Sequence, residues 1–189
     1  RSEVMHQYEK INGLYQLLSG NRKNSRMDIE TYVQRHYLEQ ILEAANQRFQ
    51  DMSAGQFELR MCDIDKAGTG KNRGLDLMVY SAVTGKVREV RTLSGGESFM
   101  AALSLALGMA DQIQESSAAI NLDMMFIDEG FGSLDEHSRD QAVKVLQNMA
   151  EGEKLIGIIS HVTELKQEIE DQLIVTKDDQ GSHTRWQIS

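Results

Sequence analysis

"NLDMMFIDEGFGSLD", residues 121–135, decides how this chain folds. Its apolar run Met124–Ile127 predicts a buried strand that ends on two adjacent carboxylates, Asp128 and Glu129. Successive strand residues face opposite ways, so neighbouring acids at a strand tip can take different roles. In open parallel sheets that tip is also where ligands bind. After the turn Gly130-Phe131-Gly132, residues 136–150 carry Val143, Leu146 and Met149 on one helical face, with Gly152 just past the end. A second apolar run, "LIGIIS" at 155–160, leads into His161. Strand, helix and strand of these lengths predict a right-handed βαβ crossover with both strand tips on one sheet edge. His161 is therefore expected to converge on Asp128 and Glu129.

Upstream lies "RTLSGGESFM", residues 91–100. Ser94-Gly95-Gly96-Glu97 is an S-x-x-E capping box, which accounts for a helix start. It does not account for two glycines in a first turn, each costing roughly 1 kcal/mol relative to alanine. Glycine leaves the amides uncovered, and bare amides at the positive end of a helix form an anion site. The helix that follows, Ser98 to Ile113, is apolar nearly all round and is expected to be firmly buried. A rigid helix would aim those amides at phosphate.

The flanking segments supply the frame. From Gln56 the period is two: Phe57, Leu59 and Met61 alternate with Glu58 and Arg60, and Leu75, Leu77 and Val79 repeat the pattern. A third run, Lys86–Leu93, follows the Thr84-Gly85 turn, so 56–93 predicts an antiparallel meander. Its loop "KAGTGKNRG" is not a phosphate-binding P-loop, because Asp65 stands where glycine is needed and Asn72 where a metal-binding hydroxyl is needed. A helix over Asp28–Met52, with Ile29, Val33, Tyr37, Ile41, Ala45 and Phe49 on one face, is expected to pack against a sheet. Before it, Val4, Tyr8, Ile11, Tyr15 and Leu18 recur at spacings of four and three. That pattern suits a coiled-coil seam or an ordinary amphipathic helix ending at Gly20. A helix over Thr163–Asp171 and a hairpin of Gln172–Thr176 against Thr184–Ile188 are expected to close the chain.

Composition narrows the classes. The chain has 189 residues, 40% of them hydrophobic, enough for one main globular unit. A net charge of −9 argues against a surface that attracts nucleic acid everywhere, while leaving room for a local basic face. The longest uncharged apolar stretch, Phe99–Ala110, falls short of the ~20 residues that cross a bilayer, so a soluble protein is expected. The chain opens on Arg1 without a charged-then-apolar leader, which predicts no secretory signal and suits a fragment. Cys62, the single cysteine, has no disulfide partner and no metal-ligand spacing around it, which suits a reducing compartment.

Four motifs in order carry a family resemblance. Leu93-Ser94-Gly95-Gly96-Glu97 resembles the ABC-ATPase signature, and Met124–Glu129 a Walker B strand. Ser133-Leu134-Asp135 resembles the D-loop, and His161 the switch histidine. "FIDEGFGSLD" has glycine where transporter ATPases usually carry proline; together with "ETYVQRHYLEQILEAANQRF" it is similar to the SbcC-type subunit of the bacterial SbcCD exonuclease.

The resemblance implies an α/β fold: the C-terminal lobe of an ABC-type ATPase head at 20–189, with a parallel βαβ core and an antiparallel meander, and the end of a coiled coil at 1–19. It implies ATP and Mg2+ as cofactors. Leu93, Ser94, Gly95, Gly96 and Glu97 would bind the γ-phosphate of ATP held by an opposite head. Ser133 and Asp135 would link the two sites. Asp128 would hold Mg2+ through water, Glu129 would polarise the attacking water, and His161 would contact the γ-phosphate. The implied partners are an N-terminal P-loop lobe, a second head, a nuclease subunit and double-stranded DNA, in the cytoplasm, with no membrane. ATP-driven head pairing would control DNA binding and the nuclease in double-strand-break repair. Without a P-loop this chain alone is expected to be inactive as an ATPase. For DNA the sequence offers only Lys66, Lys71, Arg73, Lys86, Arg88 and Arg91, each more simply a solvated charge. An architectural SMC-type head with no nuclease partner, or a transporter ATPase, are the competing readings.

Overall fold

The computed structural model describes residues 2–19, 27–63, 74–116, 122–150 and 154–188. Helix α1, Ser2–Leu18, leaves its whole four-three seam in solvent, with Val4, Tyr8, Ile11, Tyr15 and Leu18 all exposed. Helix α2, Ile29–Met52, starts at Asp28, whose carboxylate accepts the Thr31 N–H at 2.7 Å. Its packing differs from expectation. Ile29, Val33 and Tyr37 are exposed, and the buried stripe is Leu42, Ala45, Phe49 and Met52. A 24-residue helix is about 36 Å long, so its fully buried apolar residues all lie in its C-terminal half, while nearer its start only Thr31 is buried.

Helix α2 packs on the meander as expected, and more extensively on helix α3, Gly95–Ser116. The two cross at Gly108, where an added Cβ would lie 2.7 Å from the Ile41 carbonyl oxygen and 2.9 Å from the Ala45 nitrogen. Leu103 and Leu107 are buried along this contact side of α3. The expectation of a helix buried all round is corrected, because Ala102, Ala106, Met109 and Ile113 form an exposed stripe at helical spacing.

Strands β1 (Phe57–Met61), β2 (Leu77–Ser81) and β3 (Lys86–Glu89) make the antiparallel meander, with Leu59 opposite Val79 and Val79 opposite Arg88. The third run stops four residues short of Leu93, because a 3-10 turn over Val90–Thr92 turns the chain toward α3. Gly85, at φ +66°, makes the β2–β3 turn. Phe49 of α2 stacks on Phe57 with ring centroids 6.0 Å apart. Asn46 adds a bond pattern normally made by a strand: its amide donates to the Leu59 carbonyl at 2.8 Å and accepts the Leu59 N–H at 2.7 Å.

Strand β4 (Met124–Asp128), helix α4 (Glu136–Ala150) and strand β5 (Leu155–Ile159) form the βαβ unit, with β4 and β5 parallel and Asp128 opposite Ile159. Ala142, Val143 and Leu146 of α4 join Ile127 in the core. The other face is open, so β4 is half-covered rather than the buried strand its apolar run suggests. Met124 and Phe126 are exposed there beside Leu155 and Ile159. Helix α5 is a single turn, Leu165–Glu168, shorter than expected. Gln172 ends it by donating to the carbonyls of Lys166 and Ile169, both at 2.7 Å. Strands β6 (Gln172–Asp178) and β7 (Gly181–Gln187) close the chain as a hairpin that reaches two residues further toward its turn on β6 and three on β7 than the sequence pattern suggests. No described helix is long and apolar enough to cross a membrane.

The α2–α3 crossing makes a signed prediction. In an open helix, glycine to alanine stabilises by roughly 1 kcal/mol. At Gly108 the new methyl meets backbone on α2, so Gly108→Ala is expected to destabilise by about 1–3 kcal/mol, read as a lower denaturant midpoint. A higher midpoint would show that the helices separate freely.

Candidate functional site at the βαβ edge

The tip of β4 is held by backbone. The Glu129 N–H donates to the Ile159 carbonyl at 2.9 Å, extending the parallel ladder by one residue. Glu129 then takes φ +60°, the left-handed region, followed by Gly130 at φ +99°. Such a conformation costs a non-glycine residue on the order of 1–3 kcal/mol and persists only where its surroundings impose it. The turn brings the Glu129 carboxylate to the exit of β5, where His161 Nδ1 lies 3.1 Å from Oε1 and 3.0 Å from Oε2. Of the two acids on which His161 is expected to converge, it meets Glu129, while the Asp128 side chain makes no bond to it. The two side chains are 52% and 80% exposed, so the pair contributes little to stability; its significance is placement.

Asp128, one residue back, is exposed, and its carboxylate has no hydrogen-bond or ion-pair partner among the described residues. Among those residues no group of three or more His, Cys, Asp or Glu side chains forms a metal cage. Mg2+ characteristically binds one or two carboxylates and completes its shell with water and substrate phosphates. Asp128 fits an ion of that kind, shared with a ligand.

The start of α3 is a reciprocal capping box. The Ser94 hydroxyl accepts the Glu97 N–H at 3.3 Å, and Glu97 accepts the Ser94 N–H at 2.7 Å. The two glycines have different reasons. A Cβ on Gly96 would lie 2.8 Å from the Ser133 carbonyl oxygen, so packing alone requires glycine there. Gly95 is exposed, with Ser133 Cβ at an ordinary 3.6 Å from its added methyl. The amides of both glycines meet no acceptor among the described residues. Leu93 is half-buried against the core.

The Ser133 hydroxyl donates to the Gly130 carbonyl at 2.7 Å and closes the 131–133 turn. Asp135 caps α4, accepting the Ser138 N–H at 2.9 Å and the Ser138 hydroxyl at 2.8 Å. These bonds, the backbone one first, hold its carboxyl below the ordinary aspartate range. A cleft of about 300 Å³ lies between the turn after α2 and the starts of α3 and α4, lined by Ser94, Gly96, Glu97, Ser133, Asp135 and His137. Glu129 and His161 are not part of it. The candidates thus form two groups, the α3 start with the 133–135 turn, and the β4–β5 tips.

Arg88 belongs to the first group. Its guanidinium bonds Glu97 at 3.3 Å and the Thr92 carbonyl at 2.6 Å, so it braces the capping box rather than presenting a free basic surface. Arg91 pairs with Glu89. Lys86 is exposed, and Lys66, Lys71 and Arg73 lie outside the described residues. Sequence reasoning missed Phe99, whose ring packs on Gly130 and meets Phe131 edge-on at 5.0 Å. The signal in the sequence is Phe131 between Gly130 and Gly132, a ring flanked by open space that a second aromatic can fill.

Residues 75–148 match the family model described as "SbcC/RAD50-like, Walker B motif". A Treponema pallidum protein, named as the SbcC component of the nuclease SbcCD, is 46% identical over 175 residues, covering 93% of this chain and 16% of that protein. A Vibrio cholerae protein of the same name is 44% identical over 179 residues, covering 95% and 18%. The chain thus spans less than a fifth of the length of these curated relatives. Among solved structures, one described as concerning ATP-driven dimerization and DNA-stimulated activation of SMC ATPases is similar at a TM-score of 0.63 and 15% identity, covering 82% of this chain and 88% of that one. A Pyrococcus furiosus Smc head domain with an extended coiled coil, bound to the C-terminal domain of ScpA, follows at 0.60 and 18% identity, covering 82% and 36%. These likenesses establish an SMC-head fold.

The capping carboxylates give a pH prediction. Asp135 and Asp28 both hold their protons less readily when folded, Asp28 because the Thr31 amide donates to it. Below about pH 4 the unfolded chain therefore takes up protons first. The stability these caps give is present above that pH and is lost as pH falls through their lower folded values. Asp28→Asn with Asp135→Asn keeps two capping oxygens but removes the titration, so the fall in unfolding midpoint between pH 5 and pH 2 should be shallower. An unchanged slope would place the acid sensitivity elsewhere.

Proposed function

We infer, from a chain that is SbcC-like along nearly its whole length and folds as an SMC-type head lobe, that it is the C-terminal half of an ATP-binding and ATP-hydrolysing head in a DNA-repair nuclease complex. The observation that carries this reading is the contact of Glu129 with His161 at the shared tip of two parallel strands, beside an unpartnered Asp128. Glu129 accepts a hydrogen bond from the attacking water, orients and polarises it, and takes its proton as the water oxygen adds to the γ-phosphate. His161, held against Glu129, donates to a γ-phosphate oxygen. Asp128 would hold Mg2+ through water, and the ion would neutralise charge on the phosphates.

The α3 start acts on a different nucleotide, that of an opposing head. Ser94 and the acceptor-free amides of Gly95 and Gly96 offer donors at the positive end of a long helix, with Leu93 and Glu97 fixing their position. Ser133, packed against that start, and Asp135, lining the same cleft, would relay its position to the neighbouring site. The open apolar face of Met124, Phe126, Leu155 and Ile159 supports an N-terminal P-loop lobe as covering partner, because parallel sheets are covered on both faces. The exposed α1 seam supports residues 1–19 as the end of a coiled coil and 20–189 as the head lobe. A nuclease subunit, a second head and double-stranded DNA complete the assembly, which would work in the cytoplasm at the nucleoid. The names of the relatives favour this over a head with no nuclease partner.

Two substitutions in the full-length protein test the assignment. Glu129→Gln keeps the shape of the site but removes the base, so ATP binding should persist while turnover falls on the order of 100- to 10,000-fold and the ATP-bound head dimer should last longer. Undiminished turnover would move the catalytic role elsewhere. Ser94→Arg should abolish ATP-driven head pairing, measured by sizing chromatography, while nucleotide binding to each head stays intact. If Ser94 were a cap only, pairing would persist and stability would drop by about 0.5–2 kcal/mol.

A further inference from the structure

We propose that Phe99 is a positioning residue for hydrolysis, setting the backbone of Glu129 and tying it to the helix that carries Ser94. This rests on the reading of Glu129 given above. Glu129 and Gly130 are consecutive left-handed residues, at φ +60° and +99°, so the direction of the Glu129 carboxylate depends on a backbone that no regular strand or helix holds. The Phe99 ring holds it. Its edge fills the space that a side chain at 130 would take, and it meets the fully buried Phe131 edge-on. On the far side of the same turn, Val162, next to His161, packs against Gly132. The 130–132 turn is therefore clamped between α3 and the exit of β5, the two elements that bear Ser94 and His161.

Phe99 lies five residues after Ser94, the capping residue of the continuous helix that carries Phe99. A small tilt of α3, as its first turn receives the opposing head's phosphate, moves the ring against Gly130 and re-aims the Glu129 carboxylate. Phe99 touches neither nucleotide nor water in this scheme. It acts through Glu129.

The test uses the full-length protein, with single-turnover ATP hydrolysis, nucleotide-binding titration and melting curves on Phe99→Ala, Phe99→Leu, Phe99→Tyr, Glu129→Gln and the double variant Phe99→Ala with Glu129→Gln. Phe99→Ala should lower the hydrolysis rate on the order of 10- to 100-fold with nucleotide affinity unchanged. Phe99→Tyr, which keeps the ring, should retain most of the rate. Phe99→Leu covers the case in which the alanine variant does not fold, and should be slowed while melting near the parent. In the Glu129→Gln background, Phe99→Ala should slow the residual rate no further. A full additive loss there, a rate unchanged in both Phe99→Ala and Phe99→Leu, or a tyrosine variant as slow as alanine would overturn the inference. A Glu129→Gln protein that hydrolyses normally would overturn the reading of the site itself. An inactive Glu129→Gln beside a fully active Phe99→Ala would overturn only the role of Phe99.

Discussion

The close crossing of α2 and α3 at Gly108 is the contact on which the rest of the structure depends. With no Cβ at 108, the backbones approach until Ile41 and Ala45 lie against the glycine, and α3 becomes the central strut of the fold. Its first turn then rests on the 131–133 turn through Gly96, and Phe99 rests on Gly130. Farther along α3, Asp111 takes Arg48 of α2 at 2.6 Å and Lys154, just before β5, at 3.6 Å. One helix thus meets α2, the turn after β4 and the entry to β5. A shift of that helix is felt at both groups of candidate residues because interiors are packed too densely to absorb it locally.

What was legible in the sequence was what chain geometry dictates. Parallel strands joined by one helix must exit on the same edge, so the meeting of His161 with Glu129 followed from lengths alone. The capping box followed from residue types at a fixed spacing, and the meander from a period of two. What was not legible was what covers each face. Periodicity marks an apolar side of α2 but cannot say where its partner ends: Ile29, Val33 and Tyr37 share that side yet lie in solvent, while the core meets α2 from Leu38 onward. Met124–Ile127 is uniformly apolar, yet half of it faces solvent, because covering a strand takes two layers and α4 supplies one. Nor does composition tell one glycine from another: Gly96 is set by the Ser133 carbonyl oxygen, a long-range contact invisible in a five-residue motif.

The charges show the same division between type and use. Six basic residues marked a possible DNA face. Arg88 instead pairs with Glu97 at the start of α3, its guanidinium 5.6 Å above the Phe57 ring. An arginine half-buried against an aromatic and bonded to a capping glutamate fixes a helix start in place, and its loss would loosen the box that presents Ser94. Asp135 likewise holds α4 as a cap at the point where the family resemblance implies a link between sites.

The Asn46 amide has a consequence for how this molecule meets others. By bonding both the N–H and the carbonyl of Leu59, it occupies the middle of the outer edge of β1, where an incoming extended chain would otherwise register. The opposite edge, β3, is only four residues long and alternates Lys86 and Arg88 with Val87 and Glu89. Neither border of the meander therefore templates a further strand. Edge-to-edge pairing is thereby discouraged at the meander, and the apolar surface left open is that of the short parallel pair, whose outer face carries Met124, Phe126, Leu155 and Ile159.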